Sequence, residues 1–423
     1  MSKTVCIMVL IVLSARLMPA QTKSITLQEC QERARENYPL VKQKELLVKT
    51  REFTIANVNS AWLPQISVNG QATYQSDVTQ VLIDVPGVEV PTLSKDQYKI
   101  YAELSQNIYD GGLTSKQAAI QEAGNVVEDQ KLEVELYKIR ERVNQLYFGI
   151  LLIDKQIDQA ALLKKDLQSS LTKTEGAIRY GTALRSNANQ IRAEILKNDQ
   201  RVIELKATRR SYLDILGYFI NDQLPEGTVL QEPVSLTIDV AQIQITRPEL
   251  SLFNRQHELL TAQYGATRSR SVPRFGLFVQ GGYGRPALNL LNNDFDFYYV
   301  GGVRLNWNLA GFYNNHRDKQ LLDANTQLLD AQRETFLFNT NIALKQNTHE
   351  IDKLEDLITI DNEIIDLRTS IKNTAQAQHE NGVITTNDLI RELNAEDQAK
   401  QNLSLHQVQL MMAKYNYQTT SGK

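Results

Sequence analysis

Cysteine is nearly absent from this 423-residue chain, with Cys6 and Cys30 as the two copies. Cys6 falls in the opening segment that reads as a removable leader, so Cys30 would stand alone, which excludes a disulfide framework. No cysteine stands at the expected cleavage point to take a lipid. Long apolar runs are also missing after the start, and a membrane-spanning helix needs about eighteen to twenty such residues. Any entry into a membrane must then be made by β-strands. Charge of one sign is scarce too: the formal net charge is −3 and basic residues are not blocked together, which disfavours nucleic acid as a partner. His257, His316, His349, His379 and His406 lack metal-ligand spacing, and there is no nucleophile motif around serine or cysteine. Gly281-Gly282-Tyr283-Gly284 sits inside an alternating stretch with no helix after it, so it reads as closely packed strand rather than a phosphate cradle. The expectation is a non-enzyme without cofactor or metal.

What is present begins with Met1 to Ala20: Lys3, an apolar stretch from Val5 to Leu13, then Met18-Pro19-Ala20. That is the pattern of a secretory signal peptide, placing the mature start near Gln21. Beyond it the chain repeats itself. Pro39 and Pro248 each begin a helix-like stretch that closes at Pro64 and Pro273, an interval of 25 residues in both copies. Ile108-Tyr109-Asp110-Gly111-Gly112 answers Asn308-Leu309-Ala310-Gly311, and Tyr180-Gly181-Thr182 answers Asn381-Gly382-Val383. Landmarks in one order make two copies, 21–217 and 240–423, with a linker at 218–239 and a longer loop near 85–94 in the first. Each copy is expected to run helix, strand, loop, strand, long helix, break, helix.

After Pro64, Ile66, Val68, Gly70, Ala72 and Tyr74 alternate with polar neighbours, and the period of two predicts strands near 65–76, 97–109, 274–285 and 297–309. A soluble sheet with one buried face has this pattern. Lengths of about 9–11 residues with aromatic ends also suit membrane strands, and four strands cannot close a barrel alone, since small membrane barrels begin at about eight. Several chains would have to share one. The helices expected at 112–178, 184–217, 312–378 and 385–418 are long; at 1.5 Å per residue the first would reach roughly 100 Å. Leu132, Leu136, Ile139, Val143, Leu146, Ile150, Ile153, Ile157 and Ala160 follow a coiled-coil seam, interrupted in the next helix by Asn198 and Arg209. In the second copy Leu357, Ile360, Ile364, Leu367 and Ile371 show the same steps. Acids along these helices read as solvated faces. Pro64, Gly111, Gly112, Pro273 and Gly311 mark expected swivels between strand and helix. Gly181 and Gly382 lie about 70 residues beyond the strand-to-helix joins, at the far end of each rod, where they serve either as plain helix caps or as part of a distal contact surface.

Trp62-Leu63-Pro64-Gln65, Ile108-Tyr109-Asp110-Gly111-Gly112, Tyr180-Gly181 and Asn381-Gly382-Val383-Ile384-Thr385-Thr386-Asn387-Asp388-Leu389, in this order and doubled, resemble the TolC family of outer-membrane efflux and secretion channels. The resemblance implies a mixed α+β membrane protein: a helical coiled-coil barrel continuous with a β-barrel to which each chain gives four strands. It implies a homotrimer in the outer membrane of a Gram-negative bacterium, extending into the periplasm, that meets a periplasmic adaptor and an inner-membrane pump of RND or ABC type. An efflux channel and a type I secretion channel differ only in that pump; a non-channel coiled-coil protein is the reading of another class. The resemblance also points to the tip: Gly181 and Asn187 in the first copy, Gly382, Thr385 and Asp388 in the second. Acids can ring the entrance there. Arg391 stands where a second acid is expected, so either a weakened acidic gate or an ion pair between Arg391 and a neighbouring acid follows.

Overall fold

A computed structural model of the chain describes residues 24–79, 92–234, 236, 244–289 and 291–422. The expected signal peptide lies outside the described residues, as do 85–91 of the expected loop. The elements in chain order are β1 (Ser24–Ile25), α1 (Leu27–Asn37), α2 (Lys42–Asn59), β2 (Gln65–Tyr74), β3 (Asp96–Tyr109), α3 (Leu113–Tyr137), α4 (Ile139–Arg179), α5 (Arg185–Ile220), β4 (Val229–Leu230), α6 (Pro248–Thr267), β5 (Arg274–Arg285), β6 (Asp296–Asn306), α7 (Ala310–Glu380) and α8 (Thr386–Ser421). They gather into two compact units. One holds Lys42–Val134 and Pro248–Phe338; the other holds the chain up to Val41, Glu135–Arg247 and Asn339 onward.

The first unit contains a four-stranded antiparallel sheet in the order β2-β3-β5-β6. Its register sets apolar residues opposite one another across the strands: Val68 faces Ala102, Leu104 faces Val279 and Leu277 faces Val303. The strand ends turn on specific chemistry. Gly111 and Gly112 take φ of +68° and +79°, conformations that glycine adopts without the Cβ penalty. Asp110 holds that turn: it accepts from the Gly112 N–H at 2.8 Å and the Thr114 N–H at 2.7 Å, capping α3. Gly311 corrects the expected symmetry. It has no positive φ and lies in the first turn of α7, where a Cβ would stand 2.5 Å from Ser271 Oγ and 3.3 Å from Arg270 O; close approach, not a swivel, favours glycine there.

The second unit is a helical bundle. Ile25 and Leu230 close a short parallel bridge between β1 and β4, and the hydroxyl of fully buried Tyr147 lies 2.9 Å from Ile25 O and 2.6 Å from Gln231 O. The bridge occupies the segment read as a linker, which α5 also enters by running to Ile220. The expected continuous helix over 112–178 is interrupted at Lys138, between α3 and α4, whereas α7 runs unbroken. On the first seam Leu132, Leu136, Ile139, Val143, Ile150, Ile153 and Ala160 are buried. Of the polar interruptions, Arg209 is satisfied, donating to Asp154 Oδ1 at 2.5 Å and to Thr228 O at 2.7 Å, and Asn198 is satisfied on one side: its Nδ2 donates to Ala160 O at 2.9 Å, while its buried Oδ1 accepts no hydrogen bond among the described residues. The second stripe behaves oppositely. Leu357 packs half-buried against the core of Leu344, Ile351 and Leu354, but Ile360, Ile364, Leu367 and Ile371 are exposed, and α7 buries Leu354 and Ala375 instead.

Candidate functional site

The sheet's apolar face is bare. Ile66 is 76% exposed, Val68 71%, Val303 69% and Tyr299 82%, and no described element covers them. A soluble sheet would bury this face, because each large apolar side chain left in water forgoes about 1.5–3 kcal/mol. Aromatic rings gather near one end, where Tyr283 lies 5.6 Å from Phe295 and 4.8 Å from Phe297, centroid to centroid. At the other end Tyr109 packs at 6.3 Å against Phe275, and Trp307 donates its indole N–H to Ser271 O at 3.0 Å. Rings with a polar handle at both ends of an apolar band are what a water–lipid boundary favours. β2 and β6 are the outer strands, so among the described residues each leaves one backbone edge unpaired.

In the helical unit the two breaks come beside one core. Leu163, Leu167, Ile191, Ala375, Leu389 and Leu393, from α4, α5, α7 and α8, bury together near the ends where α4 passes to α5 and α7 to α8. Gly181 (φ +78°) and Gly382 (φ +71°) close the two long helices. Thr182 N–H reaches Ala177 O at 2.9 Å and Val383 N–H reaches Gln378 O at 2.8 Å, the bond of a Schellman ending. Beyond the glycines the breaks diverge. Thr385 and Asp388 form a reciprocal capping box: Asp388 N–H donates to Thr385 Oγ1 at 3.2 Å, and Thr385 N–H donates to Asp388 Oδ2 at 3.2 Å. The Thr385 hydroxyl, donating at 2.7 Å, holds the Asp388 carboxyl below the usual carboxylate range. Arg391 lies 3.3 Å from Asp388 and 3.1 Å from Glu392, so the acid is locally compensated. At the first break Leu184 stands in the capping position without a side-chain bond, and the Asn187 N–H donates to Leu184 O at 3.1 Å. Tyr180, Leu184 and Val383 are strongly exposed around these turns.

The acids are not all solvated, contrary to the sequence reading. Glu396, Asp397 and Asp361 are buried. Glu396 meets Lys372 at 3.1 Å and Lys400 at 2.9 Å and accepts from Thr369 at 2.9 Å; Lys372 also meets Asp166 at 3.3 Å. Asp361 pairs with His406 at 2.6 Å. These layers join α4, α7 and α8 through charge rather than hydrocarbon. No local pattern marks them, since a charge three or four residues from a leucine can face either way. Among the described residues no cluster of histidine, cysteine, aspartate or glutamate suits a metal ion, and no helix is long and apolar enough to cross a membrane.

No family model matches the sequence, and no curated protein matches it. Solved structures do match. The outer membrane protein VceC from Vibrio cholerae is similar over 94% of this chain and 96% of its own, at TM-score 0.66 and 12% identity. The CmeC outer membrane channel of Campylobacter jejuni is similar over 94% and 85%, at TM-score 0.66 and 13% identity. The open state of the MtrE outer membrane channel of Neisseria gonorrhoeae is similar over 94% and 89%, at TM-score 0.62 and 14% identity. The chain therefore has the fold of outer-membrane channel proteins. At these identities the likeness is one of fold, and it agrees with the resemblance carried by the motifs.

Proposed function

We propose that the chain is one subunit of a trimeric outer-membrane channel, a passive conduit in a tripartite efflux pump, and not an enzyme. The observation that carries this reading is the bare apolar face on a sheet with two unpaired edges. Lipid accepts the face and rejects the edges. Closure then needs further copies: two would supply eight strands and three would supply twelve, and the family resemblance selects three. The exposed stripe of Ile360, Ile364, Leu367 and Ile371 supports the same assembly, because apolar side chains at seam spacing that no described residue covers call for a partner in another chain. The leader expected at Met1 to Ala20 would direct export, with the barrel in the outer membrane of a Gram-negative cell and the helices in the periplasm. The tip, where Gly181, Asn187, Gly382, Thr385, Asp388 and Arg391 lie, would meet a periplasmic adaptor and through it an inner-membrane pump of RND or ABC type. Asp388 and Arg391, already paired, make this tip a contact surface more than a cation-selective ring.

Membrane fractionation followed by gel mobility with and without heating tests the reading. An SDS-resistant trimer in the outer-membrane fraction, collapsing to monomer on boiling, is expected. A monomer recovered in the soluble fraction overturns it.

A further inference from the structure

The polar face of the sheet carries amides and hydroxyls with Lys99, Tyr101, Asp296 and Tyr298 among them, and on it a carboxylate, a guanidinium and a ring come together. Glu103 of β3 accepts from Gln280 Nε2 of β5 at 2.5 Å and from the Arg304 guanidinium of β6 at 2.6 Å and 3.1 Å. The same guanidinium lies 4.4 Å from the centroid of the Phe278 ring. Glycine gives the rings their place. A Cβ on Gly302 would stand 3.3 Å from Phe278 Cε1, and one on Gly282 would come within 2.6 Å of Tyr101 Cβ and 2.8 Å of Tyr298 Cζ. The result is a carboxylate set beside an aromatic surface laid over bare backbone.

A fixed negative charge together with the face of a ring is the chemistry that holds organic cations. The arrangement is also layered. The Glu103 side chain is 13% exposed while that of Arg304 is 48% exposed, so the carboxylate lies behind the cation it binds. Removing the outer partner uncovers the inner one. We propose that Glu103 and Phe278 form a station for planar organic cations, of the amidinium or guanidinium kind, which the chain's own Arg304 occupies at rest. The proposal rests on reading this face as the wall of the conduit. Arg304 then acts as a built-in competitor: a cation in transit displaces it and is displaced by it in turn, so the wall offers a stop without a trap.

The test measures benzamidinium binding to the detergent-purified oligomer by equilibrium dialysis. Arg304→Ser should bind it about tenfold more tightly than the parent, the size of one half-exposed cation–π contact. Adding Glu103→Gln or Phe278→Leu to Arg304→Ser should return the affinity to the parent's. If Arg304→Ser does not assemble, Arg304→Lys, which keeps the charge and loses the planar fork, should still bind about threefold more tightly. Equal binding by parent and Arg304 variants, or a gain that survives Glu103→Gln, overturns the station. Planar-bilayer conductance of the parent separates this from the wider reading: absent conductance would strike the channel, while dialysis still answers for the station.

Discussion

Replacing Glu396 by glutamine is expected to cost the helical unit about 2–3 kcal/mol at neutral pH. Its side chain is 4% exposed and lies between Lys372 at 3.1 Å and Lys400 at 2.9 Å, with the Thr369 hydroxyl donating at 2.9 Å. Breaking a buried ion pair from one side typically costs about 3–5 kcal/mol, because a desolvated charge is left unpaired. Two features lower that figure. Lys372 keeps Asp166 at 3.3 Å, and the side chain of Lys400, 30% exposed, can turn to water. The cost should also depend on pH. Burial pushes the Glu396 carboxyl up, but its bonds from Lys400, Lys372 and Thr369 outweigh burial and leave it below the usual glutamate range. An acid depressed in the folded state contributes stability above its unfolded pKa, about 4.3, and loses it as pH falls through the folded value. Parent and variant should therefore converge toward pH 3. Thermal unfolding followed by far-UV circular dichroism in detergent would read the difference as a shift of several degrees, at about 2–4 °C per kcal/mol. A cycle adding Lys372→Met should show coupling of at least about 1 kcal/mol between the sites. Additive costs, or a difference of equal size at pH 7.5 and pH 3, would refute the buried ion layer.

Gly382→Val places a branched side chain at φ +71° with no neighbour within 4 Å, so it meets strain and no clash. A cost of about 1–2 kcal/mol is expected; an export assay should fall to background while the SDS-resistant oligomer persists, and normal export would remove the tip from the mechanism. Leu367→Glu puts a charge on the exposed stripe of α7. It should abolish the oligomer on unheated gels and leave the helical circular-dichroism signal unchanged. At Asp397, burial pushes the carboxyl up and Arg201 and Gln401 only partly oppose it. An acid raised in the folded state contributes its stability below the unfolded pKa and loses it as pH rises through the folded value. Asp397→Asn should thus match the parent near pH 4 and unfold at a higher temperature at pH 8.

The strands were open to local reading because their signal is local. A period of two, bounded by proline before β2 and β5, predicts starts at 65 and 274, and β2 and β5 begin at Gln65 and Arg274. Gly181 and Gly382 announce the long helix ends for the same reason, since a left-handed ending needs glycine whatever surrounds it. The breaks' different chemistry was only half visible. Thr385 and Asp388 have capping-box spacing, yet which way Arg391 would turn depends on where the chain places Asp388 and Glu392. The Lys138 interruption and the bridge from Ser24–Ile25 to Val229–Leu230 carry no such signal: each depends on residues distant in the chain.

By itself, then, the sequence determined the four strands of the sheet, the glycine-closed ends of the long helices, and that each of those four strands would have an apolar side. Periodicity expresses those things directly, because side-chain direction repeats with the backbone. It could not say what would cover each apolar stripe. The seam on α4 is buried and the matching one on α7 is bare from Ile360 onward, although both have the same steps of three and four. Tertiary structure decided that difference. It also placed Glu396 beside Lys372, and Glu103 beside Arg304 and Phe278, because a charge pattern along one element leaves open which partner the neighbouring element brings.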